Sequence, residues 1–415
     1  MRYQRRRDVT AYNSGFRITF IDPDLYGLIC ASMLTSDGAE VNIIYENSDA
    51  ANFRAEFPYG GTYFPEYTDG LFELADIGSV SWRRMSEVEI FTKSAWHAFS
   101  TSDGPGGLKL KLLGLTGNSA VREWINELLA KSRDTNQDEL GNALPSTVAI
   151  EESVLSNLRS MGDNSTLGKI LDVISVLTSG CSASQTGAEN FHHIIAGLVK
   201  GWNLLSNAGE IEDELKSRLT GDGVRWIEGS PVNQVSGEKS ICTCRLEDGK
   251  VVNSETVVIP ENGRFVIPAE KARSGSLYWK VWQSVDVHGE ETSAKIIVSH
   301  DSRPYMNDNF IVAGMNGDTP IRISVPVENR YIENRTGERQ AYIPGKIREN
   351  LAKAGLEFDG ALDLGPSHAA EKIVLPANVR AINSITEPRW GETVHGRLSE
   401  IFHLRTSILE QFSRT

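Results

Sequence analysis

The stretch FRITFIDPDLYGLICASMLTSDGAEVNIIYEN, residues 16–47, has the rhythm of a strand, a turn, a helix and a second strand. Residues 16–21 and 41–45 predict the strands, and residues 26–36 predict the helix, because apolar side chains recur there at helical spacing. The unit predicts an α/β protein with a parallel sheet. Arg17 and Thr19 interrupt the apolar run that such a strand normally has, which predicts that the first strand is less buried than usual.

The turn in this stretch departs from the glycine pattern of a dinucleotide-binding fingerprint. In that pattern the first glycine makes the tight turn, the second lets the backbone approach the pyrophosphate, and the third lets helix pack on strand. Asp22 and Asp24 stand at the first two positions, and only Gly27 keeps the third. A carboxylate at the helix start would use the free amides and repel phosphate, so Asp24 is expected to cap the helix.

Length and composition describe a globular protein of two or three domains. The chain has 415 residues, of which 40% are hydrophobic and 23% charged. Its net charge of -13 argues against nucleic acid as the main partner. No run of residues is apolar enough for a membrane helix or a signal peptide, which predicts a cytoplasmic protein without a transmembrane segment.

The basic start of the chain and the sequence CTC need no functional site to explain them. The basic start, with Arg2, Arg5, Arg6 and Arg7, is read as a solvated tail or as a docking point for an acidic surface. In KSICTCRLEDG, alternation puts Cys242 and Cys244 on one face of a strand, where they are expected to be packing residues. No second pair of ligands accompanies them, and no metal site is predicted.

The rest of the chain divides into helical and strand-rich stretches. Three helical patterns fall between about 117 and 180, and a further helix is predicted over 197–219. The sequence GPGG at 104–107 is read as a flexible turn with no helix start after it. Strands follow from 224 to about 327, then a helix near 345–355, a strand near 372–383 and a last helix near 392–412.

The order of these parts resembles the FAD-dependent amine oxidase and phytoene desaturase superfamily, to which UDP-galactopyranose mutase and the Rab GDP dissociation inhibitors are structurally related. The motifs that carry the resemblance are DPDLYGLICASMLTSDGAEVNIIYE, FPYGGTYFPEYTDGLFELADIG, HIIAGLVKGWNLLSNAGEIEDELKSRLTGDGVRWIEGSPVNQV with DGKVVNSETVVIP, and VRAINSITEPRWGETVHGRLSEIF. Each is weak alone, but together they span roughly residues 15 to 412 in the right order.

The resemblance implies an α/β fold in which a Rossmann-like FAD-binding domain of the glutathione-reductase type is joined to a mixed-sheet substrate domain with an inserted helical subdomain. The implied divisions are a basic tail (1–14), a discontinuous FAD-type domain (15–75, 186–265 and 365–415), a substrate-type domain (76–116 and 266–364) and a helical insertion (117–185).

The residues implied as cofactor contacts match the family pattern incompletely. Gly27, Glu46, Arg54, Trp390 and Gly391 are the candidates for holding FAD. Tyr45 stands at the ribose acid position, with Glu46 one residue later. Asn383 and Ser384 stand where the family usually has Gly-Asp.

Catalytic candidates are the histidines His192, His193 and His395, which would border a flavin-type cavity. A histidine there would act as acid or base near neutral pH, whereas the plainer reading is a hydrogen-bonded structural residue.

Two functions follow from these departures. The first is a pseudoenzyme with a flavoprotein fold, for which FAD binding is doubtful. It would bind a second protein subunit or an apolar small molecule in the cavity where flavoproteins hold the flavin. The second is an active FAD-dependent oxidoreductase, of the amine oxidase or desaturase type, with an atypical pyrophosphate site.

Overall fold

The structure of the chain is a computed structural model. It describes residues 15–45, 65–85, 87–92, 95–100, 104–134, 152–162, 166–179, 202–238, 240–259, 277–288, 294–298, 310–316, 319–328 and 394–413, with short pieces at 183, 186–188, 191–192, 195, 271–272, 349, 352, 363–364, 372–373 and 378–381.

The described helices and strands follow the predicted order except at residues 104–107 and 202–205, and most of the helix predicted near 345–355 lies outside the described residues. The helices are α1 (Leu25–Ser36), α2 (Pro65–Leu74), α3 (Gly104–Gly114), α4 (Ser119–Asp134), α5 (Val154–Ser160), α6 (Thr166–Ser179), α7 (Ala208–Gly221) and α8 (Val394–Ser413). The strands up to residue 259 are β1 (Arg17–Ile21), β2 (Glu40–Tyr45), β3 (Trp82–Met85), β4 (Glu87–Thr92), β5 (Ala95–Ser100), β6 (Trp202–Leu205), β7 (Arg225–Glu228), β8 (Val232–Glu238), β9 (Ile241–Leu246), β10 (Val251–Ser254) and β11 (Thr256–Ile259). The later strands are β12 (Lys271–Ala272), β13 (Leu277–His288), β14 (Ala294–Val298), β15 (Phe310–Asn316), β16 (Thr319–Glu328), β17 (Asp363–Leu364), β18 (Lys372–Ile373) and β19 (Val379–Ala381).

A parallel sheet in the order β19-β11-β1-β2-β7 organises the first part of the fold. Strand β1 lies at its centre, with Ile18 opposite Val41 on one side and Thr256 on the other. The expectation that β1 is less buried than usual is wrong. Thr19 is fully buried, and only Arg17, at the strand's first position, is exposed.

The two faces of this sheet are covered by different layers. Ile18 and Phe20 point to one face, where they pack with apolar residues of α1, α2, α7 and α8. Ile21 and Val257 point to the other face, where they pack against the antiparallel sheet β10-β9-β8. The mixed α/β architecture with a Rossmann-like parallel sheet is therefore confirmed.

The small antiparallel sheet holds two of the described cysteines. Cys242 and Cys244 lie on its buried face, as the alternation of the sequence predicts. Burial raises the pKa of Cys242 to about 11 and that of Cys244 to about 12, so both thiols stay protonated near neutral pH. These cysteines are packing residues.

Seven of the described strands form a second, mixed sheet in the order β17-β13-β16-β15-β14-β4-β5. Its neighbours pair antiparallel except β14 and β4, which are parallel. The sheet thus joins strands from before and after the helical stretch. Ile90 and Phe99 of this sheet pack into one core with helices α3 to α6. The domain boundaries given above stay predictions.

Two local predictions are wrong. Residues 104–107 are the start of helix α3, since Leu108 and Leu112 recur at helical spacing and are buried. Proline near a helix start is well tolerated because it lacks only an amide that would be unpaired there.

The predicted helix over 197–219 is interrupted, because residues 202–205 form β6 and pair antiparallel with β3. The helix begins only at Ala208. Before it, Asn207 accepts a hydrogen bond from the Ser81 amide at 2.9 Å and donates one to the Ser79 carbonyl at 3.0 Å. Tertiary pairing decides the conformation of this segment.

Helix α1 is fixed at its carboxyl end by an ion pair with α8. The Arg405 Nε and Nη2 atoms each lie 2.6 Å from an oxygen of Asp37. Asp37 follows the last turn of α1, where the helix dipole disfavours a negative charge. The positive guanidinium compensates both the charge of Asp37 and the negative end of the helix dipole. Hydrogen bonding to Asp37 raises the pKa of Arg405.

We expect Arg405→Gln to lower the free energy of unfolding by about 2 kcal/mol, because it leaves a largely buried carboxylate unpaired. Urea denaturation measures this. The double variant Arg405→Gln with Asp37→Asn should recover part of the loss. The control Arg218→Gln, which breaks the more exposed pair with Glu214, should cost less than about 1 kcal/mol. Equal losses in Arg405→Gln and Arg218→Gln would contradict this account.

Candidate functional site

The turn between β1 and α1 keeps the backbone shape of a glycine turn. Asp22 has a φ of 41°, in the left-handed region that favours glycine. Its amide donates to the Ile44 carbonyl at 2.9 Å, which ties the turn to the neighbouring strand. Aspartate tolerates this conformation better than most residues, so the turn combines a backbone conformation typical of glycine with an aspartate side chain.

Asp24 caps helix α1, as the sequence predicts. Its Oδ1 accepts a hydrogen bond from the Gly27 amide at 2.9 Å, and its carbonyl accepts one from Leu28 at 2.9 Å. Gly27 lies in the buried first turn of the helix. A carboxylate in this place is stabilised by the amide and by the positive end of the helix dipole.

The other oxygen of Asp24 forms an ion pair with a residue of the last helix. Arg397 Nη1 lies 3.3 Å from Asp24 Oδ2, and the two side chains are only 15% and 9% exposed. The Arg397 guanidinium carbon also lies 5.3 Å from the centroid of the Tyr26 ring, a distance typical of a cation–π contact. The amino end of α1 is therefore bound to α8 by a nearly buried pair of charges.

Arg397 is a residue that sequence reasoning missed. It lies within the segment 379–402 on which the resemblance partly depends, yet nothing local marks it.

At the carboxyl end of β2, Tyr45 is the last residue of the strand. The Lys216 Nζ atom of α7 lies 5.3 Å from the centroid of its ring and 2.7 Å from Glu212 Oε1. Partial burial alone would lower the pKa of Lys216. The hydrogen bond to Glu212 and the negative charge of Glu212, with a smaller contribution from Tyr45, outweigh it, so the pKa lies above its usual value. This end of the strand thus holds an aromatic ring with a lysine already paired to a carboxylate.

The remaining candidates are placed unevenly. His192 is half-buried beside Phe191, whose ring stacks on Trp124 at 6.4 Å between centroids. His395 belongs to the first turn of α8. Glu46, Arg54, His193, Asn383, Ser384, Trp390 and Gly391 lie outside the described residues. That the three histidines border one cavity stays a prediction.

The described residues contain neither a membrane-spanning helix nor a cluster of metal ligands. No helix among them is both long enough and apolar enough to cross a membrane. In the same part of the chain, no three side chains of His, Cys, Asp or Glu come together as a metal site would require.

Comparison with known proteins gives a likeness of fold alone. No family model and no curated protein matches the sequence. Among solved structures, an oxidoreductase from Methanosarcina mazei superposes with a TM-score of 0.58 at 11% identity, covering 94% of this chain and all of that one. Cyclohexylamine oxidase from Brevibacterium oxydans gives 0.54 at 12% identity over 96% of this chain and 100% of its own.

Putrescine oxidase, in a structure bound to putrescine, gives a TM-score of 0.53 at 14% identity over 95% of this chain and 99% of its own. Similarity over nearly the full length of each protein shows that this chain shares the fold of these oxidoreductases, as the resemblance predicts.

A substitution at Asp22 tests the interpretation of the turn. We expect Asp22→Gly to change the free energy of unfolding by less than about 1 kcal/mol, because relief of backbone strain offsets the added freedom of glycine when unfolded. Asp22→Val should cost about 2 kcal/mol, because a β-branched residue fits the left-handed region poorly. Chemical denaturation distinguishes them; equal stability of the two variants would refute a left-handed Asp22.

Proposed function

We propose that this chain uses the amine oxidase fold as a binding scaffold and does not hold FAD in the usual way. It would act as a non-catalytic subunit that binds a second protein or an apolar small molecule in the flavin-type cavity. The proposal depends on one observation about the Asp24 carboxylate. It accepts a hydrogen bond from the Gly27 amide at the start of α1 and forms an ion pair with Arg397.

The amino end of α1 fits a dinucleotide phosphate poorly. A phosphate at a helix start uses the free amides and the positive end of the dipole, and here a carboxylate of the chain uses them. Two unit negative charges about 4 Å apart repel by about 1 kcal/mol in water and by about 4 kcal/mol at a partly buried site. A pyrophosphate in this place would meet that repulsion, reduced by the positive charge of the Arg397 guanidinium beside Asp24.

The ribose end supports the same proposal. A carboxylate after the second strand normally accepts hydrogen bonds from the ribose hydroxyls. Tyr45 stands at the strand end, in contact with Lys216, which is itself bound to Glu212. Glu46 remains the candidate for that contact in the alternative below.

The partner is expected to be a protein or an apolar small molecule, and not nucleic acid. The net charge of -13 disfavours nucleic acid. A flavin-type cavity that does not hold a flavin would accommodate an apolar ligand. A fold that catalyses no reaction would be suited to binding a protein partner. Both occupants follow from the same loss of cofactor contacts.

The alternative is an active FAD-dependent oxidoreductase with an atypical pyrophosphate site. It is favoured by the neighbours in fold, which are named as oxidases and an oxidoreductase. The left-handed backbone at Asp22 and the retained Gly27 also favour it. In that case the backbone near Gly27, with Glu46, Arg54, Trp390 and Gly391, would hold the cofactor, and His192, His193 or His395 would transfer protons.

Visible absorbance of the purified full chain separates the two functions. We expect a colourless protein that takes up no FAD when the cofactor is added and excess is removed by gel filtration. Flavin bands near one equivalent would overturn the first function. A colourless protein that fails to take up FAD would remove the alternative.

The charges in the turn generate a second prediction. The double variant Asp22→Gly with Asp24→Gly should bind FAD about tenfold or more tightly than the natural sequence, because it removes two negative charges from the helix start. Fluorescence titration with FAD measures the change.

A matched control is Asp76→Gly. Asp76 also has a left-handed backbone, with φ at 61°, but its exposed carboxylate lies near Arg218. It should leave FAD affinity unchanged. An unaltered affinity in a folded double variant would show that these aspartates do not block the cofactor.

A further inference from the structure

Two ion pairs bind helix α8 to opposite ends of α1. Asp24 pairs with Arg397 at the amino end, and Asp37 pairs with Arg405 at the carboxyl end. The two pairs serve different needs. Asp37 sits where the helix dipole is unfavourable to it and needs a cation, whereas Asp24 is already stabilised by the Gly27 amide and the dipole.

At the amino end it is therefore Arg397 that needs a partner. Its side chain is 15% exposed, and an arginine so little exposed is costly unless an anion faces it. The Tyr26 ring offers it a face, and Asp24 offers it the carboxylate. Arginine pairs with phosphate as readily as with carboxylate, so Arg397 would accept either anion.

A dinucleotide phosphate at this corner would need both groups that Asp24 now engages, the Gly27 amide and the Arg397 guanidinium. We propose that the Asp24–Arg397 pair is an autoinhibitory contact, in which Asp24 stands in for a phosphate and Arg397 changes partner to a phosphate once that carboxylate is removed. This inference rests on the proposed function, since it assumes that the natural chain does not bind FAD well.

The experiment is a double-variant cycle on the full chain, with FAD as the probe and calorimetric titration as the measurement. Asp24→Ser removes the charge but keeps a good helix cap. We expect it to bind FAD roughly tenfold more tightly than the natural sequence, since a charge-assisted hydrogen bond to phosphate is gained as the repulsion is lost. Adding Arg397→Gln should remove most of the gain, because the guanidinium that would bind the phosphate is lost. In the natural background Arg397→Gln should leave FAD binding no weaker, because Asp24 already occupies the guanidinium.

A gain in Asp24→Ser that survives Arg397→Gln would overturn the exchange of partners and leave only repulsion by Asp24. No gain in a folded Asp24→Ser protein would overturn the autoinhibitory contact. If Asp24→Ser does not fold, Asp24→Asn, which has the same shape and also caps helices, takes its place. Tight FAD binding by the natural sequence would instead overturn the proposed function, so the two failures are distinct.

Hydrogen exchange without any ligand gives an independent measurement of the contact. Arg397→Gln should speed amide exchange in the first turns of α8, within 394–401, more than Arg405→Gln does, because only the first variant frees that end of the helix from α1. Equal protection of these amides in both variants would contradict the contact as the link between the two helices.

Discussion

The burial of helix α1 is the constraint on which the first half of this structure depends. Every residue from Leu25 to Leu34 is buried, because the helix lies between the parallel sheet and helices α7 and α8. The first amides and the last carbonyls of a helix have no partner within the helix, so each end requires one from outside it. Asp24 supplies it at the amino end, and the main-chain bonds around Asp37 and Gly38 supply it at the carboxyl end.

Those two aspartates bring charge into a poorly hydrated region, and the charge explains the position of α8. Arg397 and Arg405 lie two turns apart on that helix and reach the two ends of α1. Apolar contacts between the helices, with Phe16 stacked on Phe412 at 4.1 Å between centroids, fill the space alongside. The Asp24–Arg397 pair of the candidate site is thus one of several contacts that pack α8 along α1.

Sequence patterns were sufficient where the structure is decided locally. The rhythm of residues 16–45 predicts β1, α1 and β2 to within a residue or so, and the cap at Asp24 follows from its place before an apolar helix. Patterns failed where distant pairing decides. Residues 202–205 resemble the helix that follows them and become a strand only because β3 pairs with them. The start of α3 was missed because Gly and Pro are typical of a turn. The segment is helical because the leucines after them are buried in the core.

The candidate site divides in the same way. Asp22 and Asp24 before the first helix are visible in the sequence, and so is the tyrosine at the end of β2. Arg397 lies 373 residues from Asp24, and no local pattern relates them. Lys216 likewise reaches Tyr45 from another helix. Charge pairing between remote elements depends on the topology of the sheet, which periodicity alone does not specify.

The central position of β1 also affects how the chain folds as it is synthesised. One of its neighbours, β11, joins it from 238 residues away, where the Arg17 amide meets Glu255. The helix that closes over α1 is translated later still. At ribosomal rates of roughly 5–20 residues per second, the first strand and helix would wait tens of seconds with their apolar faces uncovered. Contacts this distant in sequence slow folding. This strand and helix are made before the elements that cover them, so their early exposure gives the nascent chain a need for a chaperone.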